Sequence, residues 1–289
     1  MAHKRVPRDF DRATVEDGLT LDGLVALEDP PRAGVGDAVR RCHGAGLRVL
    51  MLTGDHPRTA LGIARQAGIV DRDATAVVTG DDLAELDDAG LDAALAAHRV
   101  YARLRADQKM RIVTALRRQG EVVAVTGDGV NDAPALRVAD IGIAMGRSGT
   151  DVARESADLV LADDNFASIV AAVEEGRAVY ANIRKFLTLL LSANVAELIP
   201  YLAFVTLRIP LPLTVLQILS IDLGSEVLPS LGLGAEPPEA EQMRRPPRGR
   251  HERLLSPRVL MRAYALFGPL MAGDAAPVHA IDSLKTIAT

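Results

Sequence analysis

The chain has 289 residues and a formal net charge of −5, room for one large or two modest domains and no electrostatic case for nucleic acid as a partner. Its single cysteine, Cys42, excludes an intramolecular disulfide and fits a reducing compartment. Aromatic residues make up 3% of the chain and tryptophan is absent, so Leu, Val, Ile and Ala must build any core. The opening MAHKRVPRDFDR has no apolar run, and no cleaved signal peptide is expected.

From residue 20 to about 165, short apolar runs alternate with helical patterns. Strands are predicted at 24–28 (LVALE), 48–52 (RVLML), 76–79 (AVVT), 100–102 (VYA), 122–126 (VVAVT), 141–145 (IGIAM) and 159–162 (LVLA). Between them, PRTALGIARQAG and DQKMRIVTALRRQG have helical periodicity, the second with Ile112 and Leu116 on one face and Gly120 as a stop. The Ala/Asp-rich LAELDDAGLDAALAA is also helical. Strand–helix–strand alternation with unbroken apolar strands predicts an α/β domain whose parallel sheet is covered on both faces.

After residue 185 the composition changes. Phe186–Leu207 carries one charged residue, Glu197, and Leu211–Gly234 carries two, Asp222 and Glu226. A bilayer core needs about 20 apolar residues, so both stretches are long enough, and the short RIPLP between them predicts a transmembrane helical hairpin. Arg177, Arg184 and Lys185 precede it, and Arg244, Arg245, Arg248 and Arg250 follow it. The positive-inside tendency then places both open ends in the cytoplasm.

The acids of the first part carry the chemistry. Ligands of open α/β sheets sit beyond the carboxyl ends of strands, and two predicted strands end alike. One runs into Thr53, Gly54 and Asp55, the other into Thr126-Gly127-Asp128-Gly129-Val130-Asn131-Asp132. Glycines let backbone N–H groups approach a phosphate, a Thr hydroxyl can donate to it, and clustered Asp oxygens suit Mg²⁺. Lys109, at the start of its helix, can offset developing phosphoryl charge. A lone Thr-Gly-Asp would read as a capped turn. Two of them at strand ends with a lysine between do not.

The segments TGDGVNDAPAL, MLTGD, LEDPPR and DQK together resemble the P-type cation-transporting ATPases, over about Leu21–Arg248. The resemblance implies a haloacid-dehalogenase-like, Rossmannoid phosphorylation domain, incomplete here and followed by the hairpin. It implies that Asp128 coordinates Mg²⁺ with Asp132 in support. Thr53 and Gly54 bind an aspartyl phosphate, Asp55 aligns the site, Lys109 stabilises transferred charge, and Asn131 reaches the phosphoryl group. Mg²⁺ and ATP are the implied cofactors. The implied divisions are 1–32, a nucleotide-domain remnant with DPPR as hinge; 33–176, the distal phosphorylation domain; 177–250, the hairpin, with helices at about 186–207 and 211–234; and 251–289, a partial helix and irregular tail. The location implied is a plasma or inner membrane, crossed more than once, with a cytoplasmic domain.

The hairpin SANVAELIPYLAF…RIPLPLTVLQILSIDLGSEVLPSLGL is similar to the fifth and sixth membrane helices of the sodium/potassium and proton/potassium branch. An ionisable residue at the bilayer centre costs about 2.5–3.5 kcal/mol, so Glu197, Asp222 and Glu226 point to a bound ion. Asn194 and Glu197 share a helix face, as do Asp222 and Glu226. Pro200 and Pro229 each free a carbonyl one turn back. With Ser225, these oxygens predict a site for a transported cation of the Na⁺, K⁺, H⁺ or Ca²⁺ class. Glu226 stands where the family more often has Asp, so the ion's identity does not carry over.

The family's phosphorylation motif DKTGT occurs nowhere in the sequence, and the nearest alternatives, Asp9–Asp11 and Asp71–Asp73, do not follow an apolar strand. The chain reads as an internal piece of a pump from a truncated, frameshifted or split gene, inactive alone, in lipid, and completed by an N-terminal half. A soluble dehalogenase-like phosphatase and a non-catalytic membrane partner of a split pump are the alternatives.

Overall fold

The computed structural model describes residues 1–6, 16–25, 30–207, 214–225, 227–239, 241–249 and 252–272. The chain divides into two compact units, Met1–Arg32 and Ala33–Thr289. In the first, β1 (Ala2–His3) pairs antiparallel with β2 (Thr20–Leu21), and His3 Nδ1 meets Asp22 Oδ1 at 2.6 Å. The strand expected at 24–28 does not form where it can be seen. Leu24 and Val25 are exposed and outside any strand, and the rest of that segment lies outside the described residues.

The second unit holds two three-stranded sheets, all parallel. The first has the order β3 (Met51–Leu52), β5 (Val100–Ala102), β4 (Val78–Thr79), with Met51 opposite Val100 and Thr79 opposite Ala102. The second has the order β6 (Ala124–Gly127), β7 (Ile141–Met145), β8 (Leu159–Leu161), with Ala124 opposite Ile141 and Ala144 opposite Val160. Helices alternate with the strands: α1 (Val35–Gly44), α2 (Pro57–Gln66), α3 (Gly80–Glu85), α4 (Asp88–Ala97), α5 (Ala106–Arg118), α6 (Ala133–Val138) and α7 (Asp151–Ser156).

The two sheets border one core. Leu50 and Leu52 from the β3 side and Val123 from the β6 side pack on the buried cluster of Leu83, Leu91, Tyr101, Ile112 and Leu116. Among the described residues no ladder joins β3 to β6. The expected cover on both faces is also incomplete, since Val122 is 66% exposed and Val160 49%. Helix α5 sits as its pattern predicts. Gln108 Oε1 accepts from the Arg105 N–H at 3.0 Å, and its amide nitrogen donates to the buried Gly80 carbonyl at 2.7 Å. The helix starts there because one side chain satisfies a free helical N–H. Tyr101, fully buried, donates its hydroxyl to the Ala94 carbonyl at 2.9 Å, and burial pushes its pKa up to about 12.

Asp164 joins the loops that follow β7 and β8. Its carboxylate accepts from the Arg147 and Ser148 N–H groups at 2.9 and 2.8 Å, and these amides hold its pKa down to about 2. A depressed carboxylate pKa contributes stability that is complete above the unfolded value of about 3.9 and lost as pH falls towards 2. Asp164→Asn should therefore lower the thermal midpoint at pH 7 by about 3 °C or more, with the gap closing between pH 4 and pH 2. Thermal scans across that range check this, and a gap that persists at pH 2 contradicts it. Asn tolerates the left-handed backbone of Asp164, φ 52°, so the comparison keeps the backbone and removes the charge together with one of the two accepting oxygens.

The long helix begins earlier than the sequence suggests. Helix α8 is continuous over Phe166–Leu207 (42 residues), absorbing the basic cluster expected to precede it. Its first half is amphipathic and covers the domain. Val170, Phe166 and Val173 pack with Ala38, Cys42 and Met243. Arg177 donates to the Ala45, Gln242 and Arg245 carbonyls at 2.9, 3.2 and 2.9 Å. Its second half is predominantly apolar, with Leu202 and Val205 53% and 71% exposed and Asn194 and Glu197 among its few polar residues, the composition of a helix in an apolar environment.

Among the described residues α8 is the one helix long and apolar enough to cross a membrane. The second expected span is helical where it is described, over α9 (Val215–Ser225) and α10 (Val227–Gly234). The connector 208–213 and Glu226 lie outside the described residues. The expected partial helix is present as α11 (Pro257–Met261), running into a π-helical stretch over Arg262–Phe267.

Candidate active site

Thr53, Gly54 and Asp55 follow β3 directly. The Thr53 N–H donates to the Tyr101 carbonyl, and the Leu104 N–H to the Thr53 carbonyl, each at 3.0 Å. The turn is thus tied to the middle of β5 and to the loop just beyond its carboxyl end. Thr53 Oγ1 accepts from the Asp55 N–H at 3.1 Å, which leaves the hydroxyl hydrogen available to an incoming anion. His56 then caps α2 by accepting from the Arg58 N–H at 3.2 Å.

The second loop leaves β6 at Gly127, whose place admits no side chain, because a Cβ there would collide with that of Asp132. That close approach lets Asp132 fold back on its own loop. Its Oδ2 accepts from the Asp128 and Gly129 N–H groups at 3.3 and 3.2 Å. Its Oδ1 meets Lys109 Nζ at 2.7 Å, with both side chains about 15% exposed (14% and 15%). Lys109 reaches across from the first turn of α5, so this ion pair links the helix beside the first sheet to the loop of the second. Asp128 itself is exposed, as is Asn131.

This geometry changes two expectations. The Asp128 and Gly129 amides serve Asp132 rather than standing open to a phosphate. Asp132, held by Lys109 and two amides, shapes the loop and leaves Asp128 as the carboxylate facing out. Among the described residues no group of three or more His, Cys, Asp or Glu is placed to hold a metal ion. The donor set around Asp128 therefore fits a divalent ion only with oxygens from elsewhere, such as a phosphate or another carboxylate. Sequence reasoning missed the brace behind Asp128, whose carbonyl accepts from the Thr150 N–H at 2.8 Å. The signal was present in the glycine- and hydroxyl-rich segment Gly146–Thr150 (GRSGT) at the carboxyl end of β7.

The proposed transport residues are less fully placed. Asn194 and Glu197 lie on α8, Asp222 and Ser225 on α9, and Glu226 outside the described residues. Asn194 donates its amide to the Leu190 carbonyl at 2.9 Å, and Glu197 is half-buried.

Residues 2–140 match the family of haloacid dehalogenase-like hydrolases, and residues 210–275 match that of the cation transporting ATPase C-terminus. The sodium/potassium-transporting ATPase subunit alpha-3 of Gallus gallus is 44% identical over 282 residues, covering 89% of this chain and 28% of that protein. The chain belongs to the P-type cation-transporting ATPases. Subunit alpha-2 of Pongo abelii is likewise 44% identical, over 93% of this chain and 29% of its own. Among solved structures of P-type ATPases, a zinc-transporting PIB-type enzyme is similar with TM-score 0.52 and 31% identity, covering 72% of this chain and 28% of that one. A second structure of the same type of enzyme, in another state, gives 0.53 and 32%. The chain thus spans under a third of the length of each of these relatives, and its α/β unit is the haloacid-dehalogenase-like domain of that family.

Proposed function

We propose that this chain supplies the distal part of a phosphorylation domain and a transport hairpin to a cation pump. The observation that carries the reading is the Lys109–Asp132 pair at 2.7 Å, which ties α5 to the Thr-Gly-Asp loop leaving β6, while a second loop of the same chemistry leaves β3 at the carboxyl end of another parallel strand. In the working pump, Mg²⁺ held by Asp128 would let a phosphoryl group sit beside carboxylates that otherwise repel it. Thr53, Gly54 and Asp55 would receive and align the phosphoryl group, Asn131 would contact it, and Lys109 would offset its charge. ATP hydrolysis through an aspartyl phosphate would drive the transport. Family members are membrane proteins with cytoplasmic domains, and α8 and α9 would cross the bilayer to present Asn194, Glu197, Asp222, Ser225 and Glu226 to the cation. The two separate sheets favour a partner that completes them, so a split pump whose N-terminal half is a second polypeptide is kept as the second reading.

The transport half of the proposal is tested in a phosphorylating pump that contains this chain and the family's remaining segments. Glu197→Gln or Asp222→Asn should weaken cation-stimulated phosphorylation about tenfold, near 1.4 kcal/mol. An unchanged cation dependence in both variants refutes the assignment.

A further inference from the structure

A basic collar surrounds the base of the apolar helices, and its charges do not cancel. The acids of the region are largely taken. Glu236 meets Lys185 at 2.7 Å, Glu239 meets Lys185 and Arg245 at 3.2 and 3.0 Å, and Glu252 meets Arg184 at 3.1 Å. Among the described residues Arg244, Arg253, Arg258 and Arg262 are exposed and have no acidic partner within ion-pair distance, while Glu241 is an exposed acid of the same segment.

Their height along the molecule follows from two contacts. The Arg184–Glu252 pair brings the approach to α11 beside the middle of α8. Further along, a Cβ on Gly268 would stand 2.5 Å from Val195 Cγ1, so only glycine lets the two helices touch there. The segment after Pro257 therefore runs parallel to α8 and docks through buried Val259, Ala263 and Ala272. Arg258 lies as many residues before Gly268 as Lys185 lies before Val195, about 15 Å along α8 at 1.5 Å per residue and slightly less along the other segment, whose Arg262–Phe267 stretch is π-helical and rises less per residue. Arg258 is thus level with Lys185, where the apolar stretch of α8 begins, and Arg262 is one turn further in on the same face. Beyond them the exposed side chains are apolar: Tyr264, Leu266 and Leu270, each more than 50% exposed (51%, 51% and 58%).

We propose that Arg244, Arg253, Arg258 and Arg262 bind the anionic headgroups of the cytoplasmic leaflet. The inference rests on the membrane reading above. Clustered arginines immediately cytoplasmic of a spanning helix are drawn to anionic lipid. Their alkyl stems lie along apolar surface while the guanidinium stays at the phosphate level, where it can bind oxygen pairs in a fork. The Arg248 guanidinium, 3.7 Å from the Tyr180 ring centroid, stiffens the loop that carries Arg244.

The test reconstitutes the full chain in phosphatidylcholine vesicles containing a trace of spin-labelled lipid and compares the fraction immobilised on the protein. Labelled phosphatidylserine should be favoured over labelled phosphatidylcholine about threefold, less in high salt. The variant R244Q/R253Q/R258Q/R262Q should bring the ratio close to one, and the four Arg→Lys replacements should keep most of it. Immobilised phosphatidylcholine in each variant reports that the protein is still inserted. A ratio near one in the unaltered chain, or an undiminished ratio in the glutamine variant, overturns the collar. Absence of an immobilised component with either label overturns the membrane reading and the collar with it.

Discussion

Given ATP and Mg²⁺ in detergent, the 289-residue chain is expected to form no acid-stable phosphoenzyme. Covalent transfer needs a nucleophile held about 3–3.5 Å from phosphorus. The sequence has no DKTGT, and Asp71 and Asp73 are exposed in the turn after α2, away from any strand end. The fold adds a second reason. Among the described residues β3 and β6 are edge strands of different sheets on one shared core, so backbone groups along them are open to another strand. A polypeptide that carries DKTGT on an apolar strand should pair there in parallel and bring its aspartate beside Thr53 and Asp128. With that polypeptide present, labelling from the γ-phosphate should appear on the added chain, not on this one. Labelling of this chain alone would refute the claim and point to Asp9, Asp11, Asp71 or Asp73 as the nucleophile.

Where local chemistry and packing agree, the sequence was enough. β7 forms over the predicted 141–145 and β5 over 100–102, because each is the middle strand of its sheet and pairs on both edges. The strands at 48–52 and 76–79 shrink to Met51–Leu52 and Val78–Thr79, since apolar residues mark burial and only a partner strand defines a ladder. The start of α8 was misplaced by 20 residues, at 186 rather than at Phe166. A change in composition marks where a helix changes solvent, and nothing in the backbone stops at that point. The two Thr-Gly-Asp loops were recognisable from glycine spacing at strand ends. The fold-back of Asp132 was not, because it depends on contacts that no linear pattern encodes: the Asp128 and Gly129 amides and a lysine on another helix.

That fold-back makes Lys109 the position with the largest expected effect in a complete pump. If Lys109 offsets charge on the transferred phosphoryl group, Lys109→Met should lower the phosphorylation rate about 10²–10³-fold, the range for losing one preorganised charge partner. A purely structural role would give a different pattern. Removing the lysine leaves the Asp132 carboxylate, 15% exposed, without its counter-charge, at a cost of about 1–3 kcal/mol. Lys109→Met/Asp132→Asn removes that orphaned charge while keeping an oxygen for the Asp128 and Gly129 amides. The double variant should therefore recover most of the lost thermal stability and little of the lost rate. Paired measurements of thermal midpoint and phosphorylation rate decide between the two. If rate returns together with stability, Lys109 holds the loop and does not act on phosphate. If the rate stays low in a stable double variant, the lysine meets the phosphoryl group directly.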